Sequence, residues 1–225
     1  MEIGPKTFRA FYASQRRATK GRTIKADTLH KDVIVVRQVL KHAMSEEQLD
    51  HLPMIPAPGK IEPDPPPPLT EAEWQHLCAV SRKRITEAPN VRTKQQRIDC
   101  DHFMRLLVAS CARVDEIRGL RFRDCRYRLA EDGSSNILVA TVTGKRGTRD
   151  VVADTDAFAI LSERPGKPGD RIFPSHSRDA FRELLIAANL RADVKERVRN
   201  AKALRSTAIC RALLAGKGVV FVAKN

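Results

Sequence analysis

The sequence predicts a mainly α-helical protein with a small antiparallel β-sheet, divided into a short helical N-terminal unit and a larger mixed α+β unit. Three observations carry this. Apolar residues recur at helical spacing through most of the 225 residues. One stretch, from Ile137 to Val152, switches to a β-branched pattern interrupted by a polar, glycine-containing loop. Four consecutive prolines, Pro65 to Pro68, separate the halves. Proline cannot continue a helix and favours a stiff extended spacer.

Residues 1–25 hold seven Lys/Arg and one acid, Glu2. A first helix is predicted over "KTFRAFYASQRR". A second follows in "TIKADTLHKDVIVVRQVLKHAMS", where Leu29, Val33, Val36, Leu40 and Ala43 are spaced by 4, 3, 4 and 3. These make a small helical unit over residues 1–62 with a thin core. Residues 63–68 form the linker, and a second unit runs over 69–225. Its start is strongly marked. Thr70 is an N-cap with Glu73 as its capping-box partner, and Leu69 and Trp74 occupy the hydrophobic-staple positions.

Downstream, "DHFMRLLVASC" places Phe103, Leu106, Leu107, Ser110 and Cys111 on one helical face. A short helix, "DEIRGL", comes next. Ile137 to Thr143 and Arg149 to Val152 read as strands of a hairpin with "KRGT" as its loop. "RIFP" is a short apolar approach to a helix carrying Phe181, Leu184, Leu185 and Ala188. In the final helix Ile209, Ala212 and Leu213 set the pattern, and Gly216 suits the position just past its end.

Composition narrows the function. Forty-one Lys+Arg against 27 Asp+Glu give a net charge of +14 and a pI near 10.0. Such an excess suits a polyanion, nucleic acid ahead of an anionic membrane surface. No apolar run reaches the roughly 18 residues of a membrane helix, and no signal peptide opens the chain. The expectation is a cytoplasmic protein with no membrane partner. Cys78, Cys100, Cys111, Cys125 and Cys210 are odd in number and lack C-x-x-C spacing, so they read as reduced, mostly core residues. "DCDH" at 99–102 offers ligand-type residues, but neighbours on a helix face apart. No metal and no cofactor are expected. Nucleophile-elbow, Walker and H-E-x-x-H motifs are absent from the sequence.

What remains is cationic. Arg113 lies between two helices, Lys145 lies in the hairpin loop, and Lys202 and Arg205 share a face near the start of the last helix. Two arginines and two lysines brought together suit a phosphodiester. An arginine fork matches phosphate oxygens and never loses its charge. Two forks hold both non-bridging oxygens and stabilise a pentacoordinate transition state. A loop lysine can protonate a leaving oxygen where neighbouring cations lower its pKa.

These pieces, in this order, resemble the tyrosine recombinase (phage integrase) family over nearly the whole chain. "LLVASCARVDEIRGLRFRDC" resembles the motif of the family's first arginine, T-G-x-R-x-x-E-I-x-x-L-x-W-x-D. Arg113, Glu116, Ile117, Leu120 and Asp124 fall in register; Ser110–Cys111 replaces Thr-Gly and Phe122 replaces Trp. "VTGKRGTRDVV" resembles the hairpin of the catalytic lysine, at Lys145. "KALRST" resembles H-x-L-R-H-T, with Arg205 as the second arginine and Lys202 in place of the histidine. The resemblance implies a shortened helical core-binding domain joined to a C-terminally incomplete, mixed α+β catalytic domain.

It further implies a site-specific recombinase that breaks and rejoins duplex DNA through a phosphotyrosine, alone or with other recombinase protomers on DNA. Arg113 and Arg205 would bind the phosphate, Lys145 would act as general acid, Lys202 would assist proton transfer, and Glu116 would support Arg113. The only tyrosines, Tyr12 and Tyr127, do not match the nucleophile position. The chain is therefore expected to bind DNA without cleaving it. The alternative is a non-catalytic DNA-binding or regulatory protein derived from a recombinase.

Overall fold

The computed structural model describes residues 26–55, 65–129, 136–144, 147–153, 155–174 and 178–218, with Thr7, Ala10 and Gly133. The chain forms two compact units, Met1–Asp64 and Pro65–Asn225.

In the first unit, helix α1 spans Ala26–Ser45. The sequence spacing sets its buried face, where Leu29, Val33 and Leu40 are covered. Val33 and Leu40 join Ile55 in a small cluster, with Val36 and Leu49 packed against it. Thr7 and Ala10 are helical; the rest of the predicted first helix lies outside the described residues.

The second unit is mainly helical with a three-stranded antiparallel sheet in the order β1-β2-β3. Helix α2 covers Glu71–Thr86 and opens with the predicted capping box. The Glu73 amide donates to Thr70 Oγ1 at 3.2 Å, and the Thr70 amide donates to Glu73 Oε2 at 2.8 Å. Leu69 and Trp74 are both buried in the main core. Helix α3, Val91–Ser110, is the central element. It packs against α2, strand β3 and the later helices. Phe103, Met104, Leu106 and Leu107 are all buried, so its second half is covered on most sides, and its polar residues Asp101 and Arg105 pair with each other at 2.7 Å.

Next come α4 (Val114–Gly119), a 3-10 turn at Phe122–Asp124, and strands β1 (Cys125–Leu129), β2 (Asn136–Gly144) and β3 (Gly147–Ala153). Helices α5 (Thr155–Ser162), α6 (Arg178–Ala187) and α7 (Ala201–Leu214) complete the order. Helix α7 ends as the sequence predicts. Gly216, at φ +78°, lets its own amide reach Leu213 O and the Lys217 amide reach Ala212 O, both at 3.0 Å. This pair of bonds is the Schellman closure, which requires a left-handed residue.

Four details differ from the sequence reading. Gly144 pairs with Gly147, so both strands run further than the sequence reading placed them, and Gly147 and Thr148 of the predicted loop are already in β3. Strand β1 escapes a period-two reading because Arg126, Tyr127, Arg128 and Leu129 are all exposed on this edge strand. Helix α5 was too short to stand out from its pattern, though Ala157, Ile160 and Leu161 are buried. Cys111 does not extend the α3 face; it caps the helix in the left-handed conformation at φ 53°.

Glu73 has a second task. Arg199 is 3% exposed and donates from Nη2 to both Glu73 oxygens, at 2.9 and 3.0 Å. The same guanidinium reaches the Pro68 carbonyl at 3.3 Å, which fastens the end of the proline run to the segment before α7. Removing one partner of a buried ion pair leaves an uncompensated charge. Thr70→Ala is therefore predicted to cost about 1 kcal/mol, the worth of a cap. Glu73→Ala should cost about 3–5 kcal/mol. Urea unfolding midpoints of the two variants measure the difference, and equal losses would contradict the dual role.

Candidate functional site

The site is built at the start of α4. Cys111, in its left-handed conformation, turns the chain sharply out of α3, and Arg113 becomes the residue preceding the first turn of α4. In the resembling motif a glycine stands where Cys111 does. The structure shows why: the position needs a positive φ, which costs a non-glycine residue roughly 1 kcal/mol or more.

Glu116, three residues on, folds back onto Arg113. Its Oε2 accepts the Arg113 backbone amide at 2.7 Å, and its Oε1 accepts Arg113 Nη1 at 2.8 Å. From the sheet, Arg149 of β3 closes a two-point fork on the same carboxylate. Its Nη1 reaches Oε1 at 2.6 Å and its Nη2 reaches Oε2 at 3.0 Å. The Glu116 side chain is 1% exposed, Arg149 26% and Arg113 42%. The carboxylate is thus sealed in while one guanidinium faces solvent.

Burial alone would favour the neutral acid. The bonds from Arg149 and Arg113 outweigh it and bring the Glu116 pKa from 4.5 to about 2.

Strand alternation explains how Arg149 arrives. Arg149, Val151 and Ala153 share the inward face of β3, and Val151 and Ala153 are buried. Arg149 ends that row where the core opens. Across from it, the inward row of β2 runs Leu138, Ala140, Val142 and then Gly144. A Cβ at Gly144 would stand 2.5 Å from Glu116 Oε1, far inside contact distance. The missing side chain is what lets the hairpin end lie against the carboxylate.

Helix α7 brings the second predicted arginine. Helix α4 packs against both β2 and α7. Arg205 is half-buried, and burial, then repulsion from Arg113, lowers its pKa, with a further push from Arg149. It has no hydrogen bond or ion pair among the described residues. Three arginines near one carboxylate leave two net positive charges. Lys202 lies on the first turn of α7, one turn before Arg205, with an exposed side chain. The Asn200 cap accepts its backbone amide at 2.9 Å. Lys145 lies outside the described residues, and its neighbour Gly144 touches the site.

The sequence reading missed Arg149 as a member of this group. The signal was an arginine two residues before Val151, on the inward alternation of a strand. Tyr127 is excluded as a neighbour. It pairs with Leu138, six residues before Gly144, and six strand residues span roughly 20 Å. The acids of "DCDH" are taken by basic and polar partners: Asp99 holds Arg164 at 2.6 Å and Gln95 at 3.1 Å, and Asp101 holds Arg105 at 2.7 Å. Cys78, Cys100 and Cys111 are buried thiols, as expected. No helix among the described residues is long and apolar enough to cross a membrane.

Comparison with solved structures agrees with this architecture. The chain matches the XerH site-specific recombinase bound to palindromic difH substrate in a post-cleavage complex. The TM-score is 0.70 at 15% identity, over 99% of this chain and 62% of that one. It also matches a lambda integrase dimer bound to a COC′ core site. There the TM-score is 0.60 at 14% identity, over 94% of this chain and 57% of that one. The chain thus spans under two thirds of the length of these structures. No family model and no curated protein sequence matches it. The chain has the tyrosine recombinase fold.

Acid should expose the Glu116 contribution. Its pKa is lower in the fold than in the unfolded chain, so the stabilisation is complete above pH 4.5 and is lost as pH falls toward about 2. The loss should be about 3 kcal/mol. Urea midpoints followed from about pH 5 down to about pH 2 should fall more steeply for the native chain than for Glu116→Gln. Parallel curves would contradict the pairing.

Proposed function

We propose that this chain is the phosphate-binding part of a DNA strand-breaking and rejoining machine, acting on duplex DNA. The observation that carries the reading is the cluster of Arg113, Arg149 and Arg205 around one buried carboxylate. A local excess of positive charge suits an anion with several oxygens, and arginine forks suit a phosphodiester. The net charge of +14 adds the long-range attraction that a nucleic-acid partner exploits. The recombinase fold supports the same assignment.

In this reading Arg113 and Arg205 grip the non-bridging oxygens of one phosphate. Their charge is in place before the transition state, where the extra negative charge develops. Lys145, which follows Gly144 in the sequence, donates a proton to the departing 5′-oxygen. Lys202, at the start of α7, assists proton transfer in place of the family's histidine. The attacking group in such chemistry is a tyrosine, and neither Tyr12 nor Tyr127 matches that position. These 225 residues would bind DNA without forming a covalent link to it. The tyrosine inventory equally favours a second reading, a dedicated DNA-binding or regulatory protein derived from such an enzyme.

Binding measurements test both readings, and strand cleavage separates them. Affinity for duplex DNA should fall steeply with salt, and Arg113→Lys, which keeps the charge and loses the fork, should weaken binding about tenfold. No adduct should form on a nicked suicide duplex. Hydrogen peroxide supplied as a substitute nucleophile should cut the strand, dependent on Arg113 and Arg205, if the catalytic machinery is intact. Binding with no peroxide-driven cleavage selects the dedicated binder. Equal affinity and salt slope for RNA of the same length would overturn both.

A further inference from the structure

The carboxylate of Glu116 has about four acceptor positions, two on each oxygen. All four are taken: Oε1 by Nη1 of Arg113 and Nη1 of Arg149, and Oε2 by the Arg113 amide and Nη2 of Arg149. Arg149 has the full side-on fork, the stronger arrangement. Arg113 has one side-chain bond. Among the described residues Nη1 is the atom of its guanidinium that makes a hydrogen bond, and the group is 42% exposed.

We infer that Arg149 is a positioning residue for Arg113: by filling Glu116, it stops Arg113 from closing its own fork on that acid and leaves donors free for a phosphate. This rests on the phosphate-clamp reading proposed above. The competition is local and physical. Glu116 is three residues from Arg113 and already bonded to its backbone, so an unfilled carboxylate would draw the Arg113 guanidinium into a two-point pair. A lone Glu–Arg pair at this site would be self-neutralising and would present little charge to a ligand. Arg149 converts the pair into a triad with a net positive charge, and it does so from a different element. The geometry of Arg113 thereby depends on the seating of the β2–β3 hairpin, whose end is fitted against Glu116 at Gly144.

The test uses the full chain and Arg149→Gln. Arginine side-chain NMR of the free protein reads the first consequence. Slowed rotation and exchange of the Arg113 guanidinium, the mark of a two-point pair, is expected in the variant; an unchanged Arg113 signal overturns the inference. Affinity for duplex DNA reads the second. Arg149→Gln should weaken binding about tenfold, the scale of one charge-assisted contact. Adding Glu116→Gln should then restore affinity in the Arg149→Gln chain but lower it in the otherwise native chain. A general charge effect would raise affinity equally in both backgrounds, and that result also overturns the inference. If Arg113→Ala leaves DNA affinity unchanged, the phosphate-clamp reading fails, while the NMR signature judges the Arg149 competition separately. Should Glu116→Gln not fold, the spectrum of Arg149→Gln still decides.

Discussion

Glu116 is the constraint on which the candidate site depends. A carboxylate sealed from water is expensive unless its charge is matched and its lone pairs are filled. Here the matching groups come from the two ends of a structural gap: Arg113 from the junction between α3 and α4, and Arg149 from the sheet. Meeting the demand of one acid therefore fixes the relation between a helix start and a hairpin. Neighbouring features are consequences of that fit. Gly144 has no side chain because one would collide with the acid. Cys111 accepts a left-handed backbone because the turn must present Arg113 to it.

The same device recurs at two other places in the second unit. Arg199 is buried against Glu73 and reaches Pro68, so the start of α2, the end of the proline run and the segment before α7 share one ion pair. Arg164 lies over the Phe173 ring at 4.9 Å and donates to Asp99 of α3 and to the Ile172 carbonyl. In each case a buried or half-buried arginine ties a loop to a helix. Each such pair is neutral and leaves the net charge of +14 unchanged. The arginines at the Glu116 site differ because Arg205 joins them without an acid of its own among the described residues, and the balance there stays positive.

Much of this was legible in the sequence. The capping box at Thr70–Glu73, the α1 spacing from Leu29 to Leu40 and the Gly216 closure are local rules, and local rules survive into the fold. The hairpin was legible because Val139, Val142 and Val151 belong to a β-branched run. Strand β1 was not, since its exposed arginines carry no alternation. Arg113 and Arg205 could be singled out by motif order, but their approach depends on α4 packing against α7, which no spacing encodes. Arg149 and the second role of Glu73 were hidden for one reason. Each pairs with a residue far away in sequence, Glu116 at 33 residues and Arg199 at 126, and only tertiary structure reveals such partners.

In the reading proposed here, the cluster is a phosphate site: net positive charge present in advance, with Arg113 donors spared from internal pairing. A crystal structure of the full chain with a short DNA duplex tests this most directly. The account predicts one backbone phosphate within hydrogen-bond distance of both Arg113 and Arg205, with the Arg149–Glu116 fork intact behind them. DNA bound elsewhere, with both arginines facing solvent, would contradict it.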